Sequence, residues 1–195
     1  MGDNFLIPKE KYLEHGVHIG TSSNTKDMKR FTYKTLANGL TVLNLGILDE
    51  RIRIVANFLS RYKNILVVGR KIKKPIETFA NAIGANVVSG RFMPGSLTNP
   101  SFKNFFEPDV IFLSDPFIDK QALKEAKKTR IPIIALCNTF NSTSFIDFVI
   151  PCNNKGKKSL GLIFYLLARE ILKARGSIKK DEDFKLTIED FIESK

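Results

Sequence analysis

Residues 65–88 read Ile65-Leu-Val-Val-Gly-Arg-Lys-Ile-Lys-Lys-Pro-Ile-Glu-Thr-Phe-Ala-Asn-Ala-Ile-Gly-Ala-Asn-Val-Val88. Two short apolar runs, 65–68 and 85–88, bracket a segment that opens at Pro75 and closes at Gly84. Proline suits the first turn of a helix, whose leading amides lack partners anyway, and glycine suits the residue just past its end. The runs show no polar alternation, as strands covered on both faces require. The stretch is a strand–helix–strand unit. Working outward, further apolar runs lie at 41–45, 110–113 and 133–136, with a weaker one at 148–150. In 49–61, Ile52, Val55, Ala56 and Leu59 recur at helical spacing. Asp119 is placed to cap a helix over 120–128 with its carboxylate. A final helix over 158–175 is apolar nearly all round, with Arg169 and Glu170 near an exposed edge. Strands alternating with helices imply right-handed crossovers and a mainly parallel five-stranded sheet in a three-layer α/β/α sandwich.

Composition bounds the partner. The chain's 195 residues suit one domain, expected over 1–180 with a basic N-terminal segment, followed by an acidic tail over 181–195. The tail alone carries −4, which leaves +15 on residues 1–180 out of the net +11. Such a body calls for a polyanion, nucleic acid or an anionic membrane, with a solvated basic surface on an enzyme as the plainer alternative. Membrane is disfavoured. The opening residues mix Asp3, Lys9, Glu10 and Lys11 with apolar ones, unlike a signal peptide. The most apolar run, 159–168, meets Arg169 well short of the roughly 20 residues a spanning helix needs. Cys137 and Cys152 lack CxxC spacing, and so few cysteines fit a reducing cytoplasm.

Catalytic motifs fail on inspection. Gly69-Arg70-Lys71 follows a strand without a dinucleotide fingerprint, and Gly90–Gly95 puts Phe92 where the middle glycine must let backbone approach pyrophosphate. Gly156-Lys157-Lys158-Ser159 lacks the Walker loop's leading glycine, replaced by Pro151, and its magnesium hydroxyl, replaced by Lys158. His15 and His18 have no third ligand at matching spacing, so a turn or RNA contact is preferred to a metal site. Asp115, followed by Pro116, reads as a turn residue bonding its own backbone. No enzyme, metal, cofactor or small-molecule substrate is expected.

Basic residues fall instead in loops and at helix starts. The candidate RNA-binding set is His15, His18, Thr21, Lys26, Lys29, Arg30 and Lys34 near the N-terminus, then Arg70, Lys71, Lys73, Lys74 and Arg91, and finally Asn154, Lys155, Lys157 and Lys158. Around Gly156 a helix start, with its unpaired amides and partial positive charge, adds three lysines to a phosphate seat, although a solubilising cap reads equally well. Separated basic loops suit folded RNA, met through phosphate and shape. Phe31, Tyr33, Phe92, Phe102, Phe105 and Phe106 are available for base stacking, against a plainer role in the core.

These stretches resemble the small-subunit ribosomal protein S-two family in its archaeal and eukaryotic branch. The resemblance rests on 15–21 (His-Gly-Val-His-Ile-Gly-Thr), 26–28 (Lys-Asp-Met), 49–53 (Asp-Glu-Arg-Ile-Arg) and 90–100 (Gly-Arg-Phe-Met-Pro-Gly-Ser-Leu-Thr-Asn-Pro). It continues through 107–110 (Glu-Pro-Asp-Val), 114–116 (Ser-Asp-Pro), 133–139 (Ile-Ile-Ala-Leu-Cys-Asn-Thr), 150–156 (Ile-Pro-Cys-Asn-Asn-Lys-Gly) and 167–172 (Leu-Ala-Arg-Glu-Ile-Leu). It implies a flavodoxin-like sandwich without enzymatic activity, bound in the cytoplasm to the small subunit near the head–body junction, touching small-subunit rRNA and neighbouring ribosomal proteins. Bacterial members carry a protruding helical hairpin, whereas here the 49–61 helix passes straight to a strand and no inserted coiled-coil hairpin is expected. Gly46-Ile47-Leu48 is less polar than the family pattern before Asp49, which weakens the expectation of RNA contact there. Two rivals stand beside this reading: a nucleotide-dependent or RNA-modifying enzyme of similar layering, and a protein adaptor whose acidic tail folds back as a shield.

Overall fold

The computed structural model describes residues 5–179 and 181–192; residues 1–4 and 180 of the expected domain and 193–195 of the expected tail lie outside the described residues. In chain order the elements are α1 (Lys9–Glu14), β1 (Thr32–Thr35), β2 (Thr41–Leu43), α2 (Leu45–Leu59), β3 (Ile65–Gly69), α3 (Lys74–Ile83) and β4 (Asn86–Ser89). There follow β5 (Val110–Leu113), α4 (Lys120–Thr129), β6 (Ile133–Cys137), β7 (Phe148–Pro151) and α5 (Lys157–Ala174). Three 3-10 turns, Lys29–Phe31, Asp181–Asp183 and Ile188–Phe191, complete the described structure.

Strands β3 to β7 form one parallel sheet in the order β4-β3-β5-β6-β7. Counted along the chain this is 2-1-3-4-5, the flavodoxin-like doubly wound order. The run at 41–45 does not join it. As β2 it pairs antiparallel with β1 in a separate two-stranded ribbon, and the weaker run at 148–150 becomes the fifth strand. The apolar runs are unbroken because alternate side chains serve different layers. Ile65, Val67, Val110, Phe112, Ile134 and Leu136 pack beneath α2, α3 and α5, where Phe79, Phe112 and Phe164 meet at ring separations of 5.2–5.8 Å. Leu66, Val68, Ile111, Leu113, Ala135 and Cys137 point the other way, toward Ala122 and Ala126 of α4 and toward Met28, Phe31, Phe92 and Leu97. Among the described residues that second layer holds one α-helix, α4, with the 3-10 turn Lys29–Phe31 beside it. The connections at 90–109 and 138–147 carry no helix, so loop and N-terminal segment finish the cover.

The structure departs from expectation at one helix boundary, one cap and one buried charge. Helix α2 starts at Leu45, four residues before Asp49, because Asn44 caps it with a side chain accepting from the Gly46 and Ile47 amides. Residues 46–48 are thus a helical turn rather than a loop, and no helical hairpin stands between α2 and β3 among the described residues. Asp119 occupies the N-cap position of α4 without a side-chain cap bond; its carboxylate turns away to the Ser114 hydroxyl at 3.2 Å. Arg169 is not at an exposed edge but buried, with its Nη2 donating to the Leu6 carbonyl at 3.1 Å and its Nε facing Glu170 at 3.1 Å and Asp181 at 3.3 Å. Asp49 is its counterpart on α2, accepting from the Leu6 amide and the Tyr12 hydroxyl and pairing with Arg53. Between them these two charges hold the N-terminal arm.

The acidic segment packs on the same side. Asp181 pairs with Lys173 as well as Arg169, and Phe184 and Leu186 lean on the core beside a fully buried Phe191. A Cβ on Gly161 of α5 would lie 3.0 Å from the Phe191 carbonyl oxygen and 2.8 Å from Ile192, so glycine is what admits this approach. Phe191→Ala should therefore cost about 3 kcal/mol, the scale for a buried phenylalanine. Urea unfolding of the two proteins at neutral pH checks this; a loose tail would shift stability by less than about 0.5 kcal/mol.

Candidate nucleic-acid interface

Parallel strands all end at the same edge of the sheet, so every loop that follows one emerges on one face of the domain. After β3 come Arg70 and Lys71, then Lys73 and Lys74 at the start of α3. Arg91 follows β4, and Lys155, Lys157 and Lys158 run from the end of β7 into α5. All eight are exposed. Topology alone thus collects basic residues spread over nearly 90 positions of sequence.

The N-terminal segment is tied across the same face by polar bonds. The Thr21 amide donates to Thr139 Oγ1 at 2.9 Å, and the Thr25 amide donates to the Thr139 carbonyl at 2.9 Å. Thr25 Oγ1 donates to the Asn141 carbonyl at 2.9 Å, while Asp27 accepts from the Thr143 amide and hydroxyl. Gly20 is required here, since a Cβ would stand 2.6 Å from the Thr139 methyl and 2.7 Å from the Thr41 carbonyl oxygen. The result presents Lys26, Lys29 and Arg30 beside the β6–β7 loop, with Lys26, Asp27, Arg30, Thr143 and Ser144 around one shallow hollow. Lys34 lies on β1, its ammonium 5.9 Å from the Tyr33 ring centre.

Other expected contact residues are spent internally. Asn154 is buried, its Nδ2 donating to the Leu136 carbonyl and to Asn141 Oδ1, so it holds the loop from beneath. Thr21 is half-buried and hydrogen-bonded to Ser23 and Thr139. His15 caps α1 with its Nδ1 2.8 Å from the Lys11 carbonyl. His18 is half-buried, and burial lowers its pKa against a hydrogen bond to the Tyr12 backbone, which leaves the ring neutral at physiological pH. No group of three or more potential metal ligands occurs among the described residues. At the Gly156 helix start, Asn153 Oδ1 already accepts from the Lys155 and Gly156 amides, so part of the expected phosphate seat is taken by the protein's own carbonyl. Lys155 instead sets its ammonium 4.3 Å from the Phe140 ring, which meets the exposed Phe117 edge-on.

The crevice where this fold places ligands lies between the ends of β3 and β5. Here it is filled from within. A Cβ on Gly69 would collide with Ile76 at 1.9 Å and sit 2.7 Å from Ser114 Oγ, and the Asp119 carboxylate stands beside them. Arg70 and Arg91 face one another across a hollow of about 230 Å³ with Asp119 in its wall. A carboxylate where a nucleotide's phosphates would lie repels them, whereas two arginines at the rim suit a phosphate held from outside. Asp115 behaves as its sequence context suggests, accepting from the Phe117 amide at 2.9 Å, and adds a bond from Asn141 Nδ2 at 3.1 Å. Glu125 of α4, unremarked in sequence, fastens the 91–99 loop. Its carboxylate accepts from the Gly95 and Leu97 amides, the Thr98 hydroxyl and Gln121. Burial would raise its pKa, but those four donors outweigh it and hold the group below its ordinary range.

With this geometry the relatives can be compared. The family model of ribosomal protein S2 matches residues 12–107 and 101–174. The chain belongs to that family. It is 49% identical over 195 residues to the small ribosomal subunit protein uS2 of Methanococcus maripaludis strain C6, covering 98% of this chain and 87% of the relative. The uS2 protein of strain C5 is 50% identical over 186 residues, 93% of this chain and 84% of the relative. That of Staphylothermus marinus is 51% identical over 182 residues, 91% and 83% of the two chains. These ribosomal protein S2 relatives are named as constituents of a particle, not as enzymes.

Asp119 gives the interface a pH signature. Burial pushes its pKa up to about 6, helped by the nearby Asp115 charge and opposed by Ser114 and the Arg70 amide. The folded state therefore holds this proton more tightly than the unfolded chain. Stability from it is complete below about pH 4 and is lost as pH rises through 6, a difference of about 3 kcal/mol at neutral pH. Asp119→Asn, which keeps the shape and removes the charge, should be the more stable protein at pH 7.5 and show a flatter stability profile between pH 4 and 6. Urea midpoints across that range decide it; equal slopes for the two proteins would rule the ionisation out.

Proposed function

We propose that the protein is a non-catalytic structural constituent of the small ribosomal subunit. It binds small-subunit rRNA near the head–body junction, together with neighbouring ribosomal proteins, and so supports subunit assembly and translation. The observation that carries this reading is the convergence of Lys26, Lys29, Arg30, Arg70, Lys71, Arg91, Lys155, Lys157 and Lys158 on the carboxyl-end face of a rigid sheet. Family membership and relatives named as small-subunit proteins support it.

The mechanism is electrostatic and geometric. Lysines and arginines neutralise phosphates of folded RNA and release condensed counterions, while the sheet fixes the spacing between contacts. The domain over 1–180 supplies this surface. The acidic segment lies mostly to one side: its described part packs against α3 and α5, where Asp181 meets Arg169 and Lys173, and only Asp190 comes near a basic-face residue, Lys74. That placement disfavours a shield over the basic loops and leaves the segment's outer side for a protein neighbour. No helix is long and apolar enough to cross a membrane among the described residues.

Binding of the purified chain to small-subunit rRNA, titrated from low to high salt, tests the reading. With about six phosphates engaged, log affinity should fall against log salt with a slope near −4 to −5. Lys71→Ala and Lys155→Ala should each reduce the magnitude of that slope by just under 1. Salt-independent binding, or none, would defeat the proposal.

A further inference from the structure

Among the six aromatic residues available for stacking by sequence, the structure distinguishes one. Phe31 and Phe92 are buried in the core and Phe102, Phe105 and Phe106 are half-buried, whereas Tyr33 is 68% exposed. Its ring borders a cleft of about 370 Å³ lined also by Phe5, Leu13, His18, Asn44 and Leu45. That volume falls within the range of about 300–1,000 Å³ found for small-molecule sites. The cleft belongs to the basic face. Helix α2 opens at its floor, and the segment beside it is bound to the loop after β7, where the Asn153 amide donates to the Val17 carbonyl and Asn153 Nδ2 to the Gly16 carbonyl. Its walls are apolar and its rim cationic: Leu13 is 52% exposed, Lys34 adjoins Tyr33, and Lys9 sets its ammonium 4.6 Å from the Phe5 ring.

An exposed aromatic wall is a liability on a highly charged protein unless something covers it. We infer that this cleft receives a single unstacked base of the bound RNA, with Tyr33 as its stacking platform and Lys34 and Lys9 toward the flanking phosphates. Charge selects this occupant over an apolar protein side chain. Residues 26–34 carry four cations against the one carboxylate of Asp27, and that carboxylate is already bonded to Thr143. A nucleotide matches both halves of the site, its base the apolar walls and its phosphate the rim. The ring is held firmly enough to serve. Strand β1 pairs with β2, and the adjacent Phe31 carbonyl accepts from the Asn44 amide at 2.9 Å. This inference rests on the RNA-binding reading and adds a stacking contact, itself insensitive to salt, beside the ionic ones.

That difference supplies the test. Affinity for small-subunit rRNA is measured over a salt series for the full chain and for Tyr33→Ala, Tyr33→Phe and Lys71→Ala. Tyr33→Ala should weaken binding about tenfold or more at every salt concentration, the scale for one lost base–aromatic stack, without altering the slope. Tyr33→Phe should keep full affinity, and thermal unfolding should be unchanged because the side chain is exposed. Wild-type affinity in Tyr33→Ala beside a reduced slope in Lys71→Ala overturns the base site and leaves RNA binding standing. Absence of salt-dependent binding by the unmodified chain overturns both. A photoreactive benzoylphenylalanine at position 33, irradiated within assembled small subunits, should attach to RNA; attachment to a protein instead overturns the assignment.

Discussion

Asn141 joins four stretches of chain that the sheet does not connect. Its Oδ1 accepts from the Asn138 amide at 2.8 Å and from Asn154 at 3.1 Å, its Nδ2 donates to Asp115, and its carbonyl accepts from Thr25. The loops after β5, β6 and β7 and the N-terminal segment all meet at this buried side chain. Buried polar groups are stabilising only when bonded, and a network of this density fixes one arrangement because any other leaves donors or acceptors stranded. The basic face is carried on that arrangement. Lys26 and Arg30 sit where they do because Thr25 and Asp27 are bonded to the loop, and Lys155 because Asn154 is anchored beneath it.

The division of labour follows from the sheet. Side chains along each strand are committed to two cores, which leaves chemistry to the ends. At the amino ends a smaller basic group, Arg61 and Lys63 before β3 and Lys127, Lys128 and Arg130 before β6, is exposed without a loop of comparable length to carry it. At the carboxyl ends, two connections that carry helices in a fully doubly wound fold are loops here, and one of them is clamped by Glu125. The ligand crevice of the fold is closed by Asp119 and Ser114, so the same topology that serves nucleotide enzymes presents a surface instead of a pocket.

Much of this was legible in the residues. Strands β3, β5 and β6 read clearly because burial on both faces leaves no room for polar alternation, and α3 read clearly because Pro75 and Gly84 mark its ends. The run at 41–45 misled because an apolar run says that a strand is buried, not what it pairs with; Thr41 and Leu43 are buried beneath the N-terminal segment rather than within the sheet. Arg169 and Asp119 misled for one shared reason. Each satisfies its charge with partners brought by the tertiary fold, and no local spacing announces them. The basic loops were legible as a set, yet Thr21 and Asn154 could not be told from contact residues, since asparagine and threonine bond RNA and backbone with the same groups.

The Arg169 contact also orders events in time. Leu6 is 163 residues from the guanidinium that holds its carbonyl, and Asp181 reaches that guanidinium from the other side. Chains emerge from synthesis N-terminus first, so the arm appears long before its clasp exists. Asp49 of α2 is there early to take the Leu6 amide, but the Leu6 carbonyl must wait until α5 has been made and docked. A segment completed late in synthesis thus decides when one made early comes fully to rest.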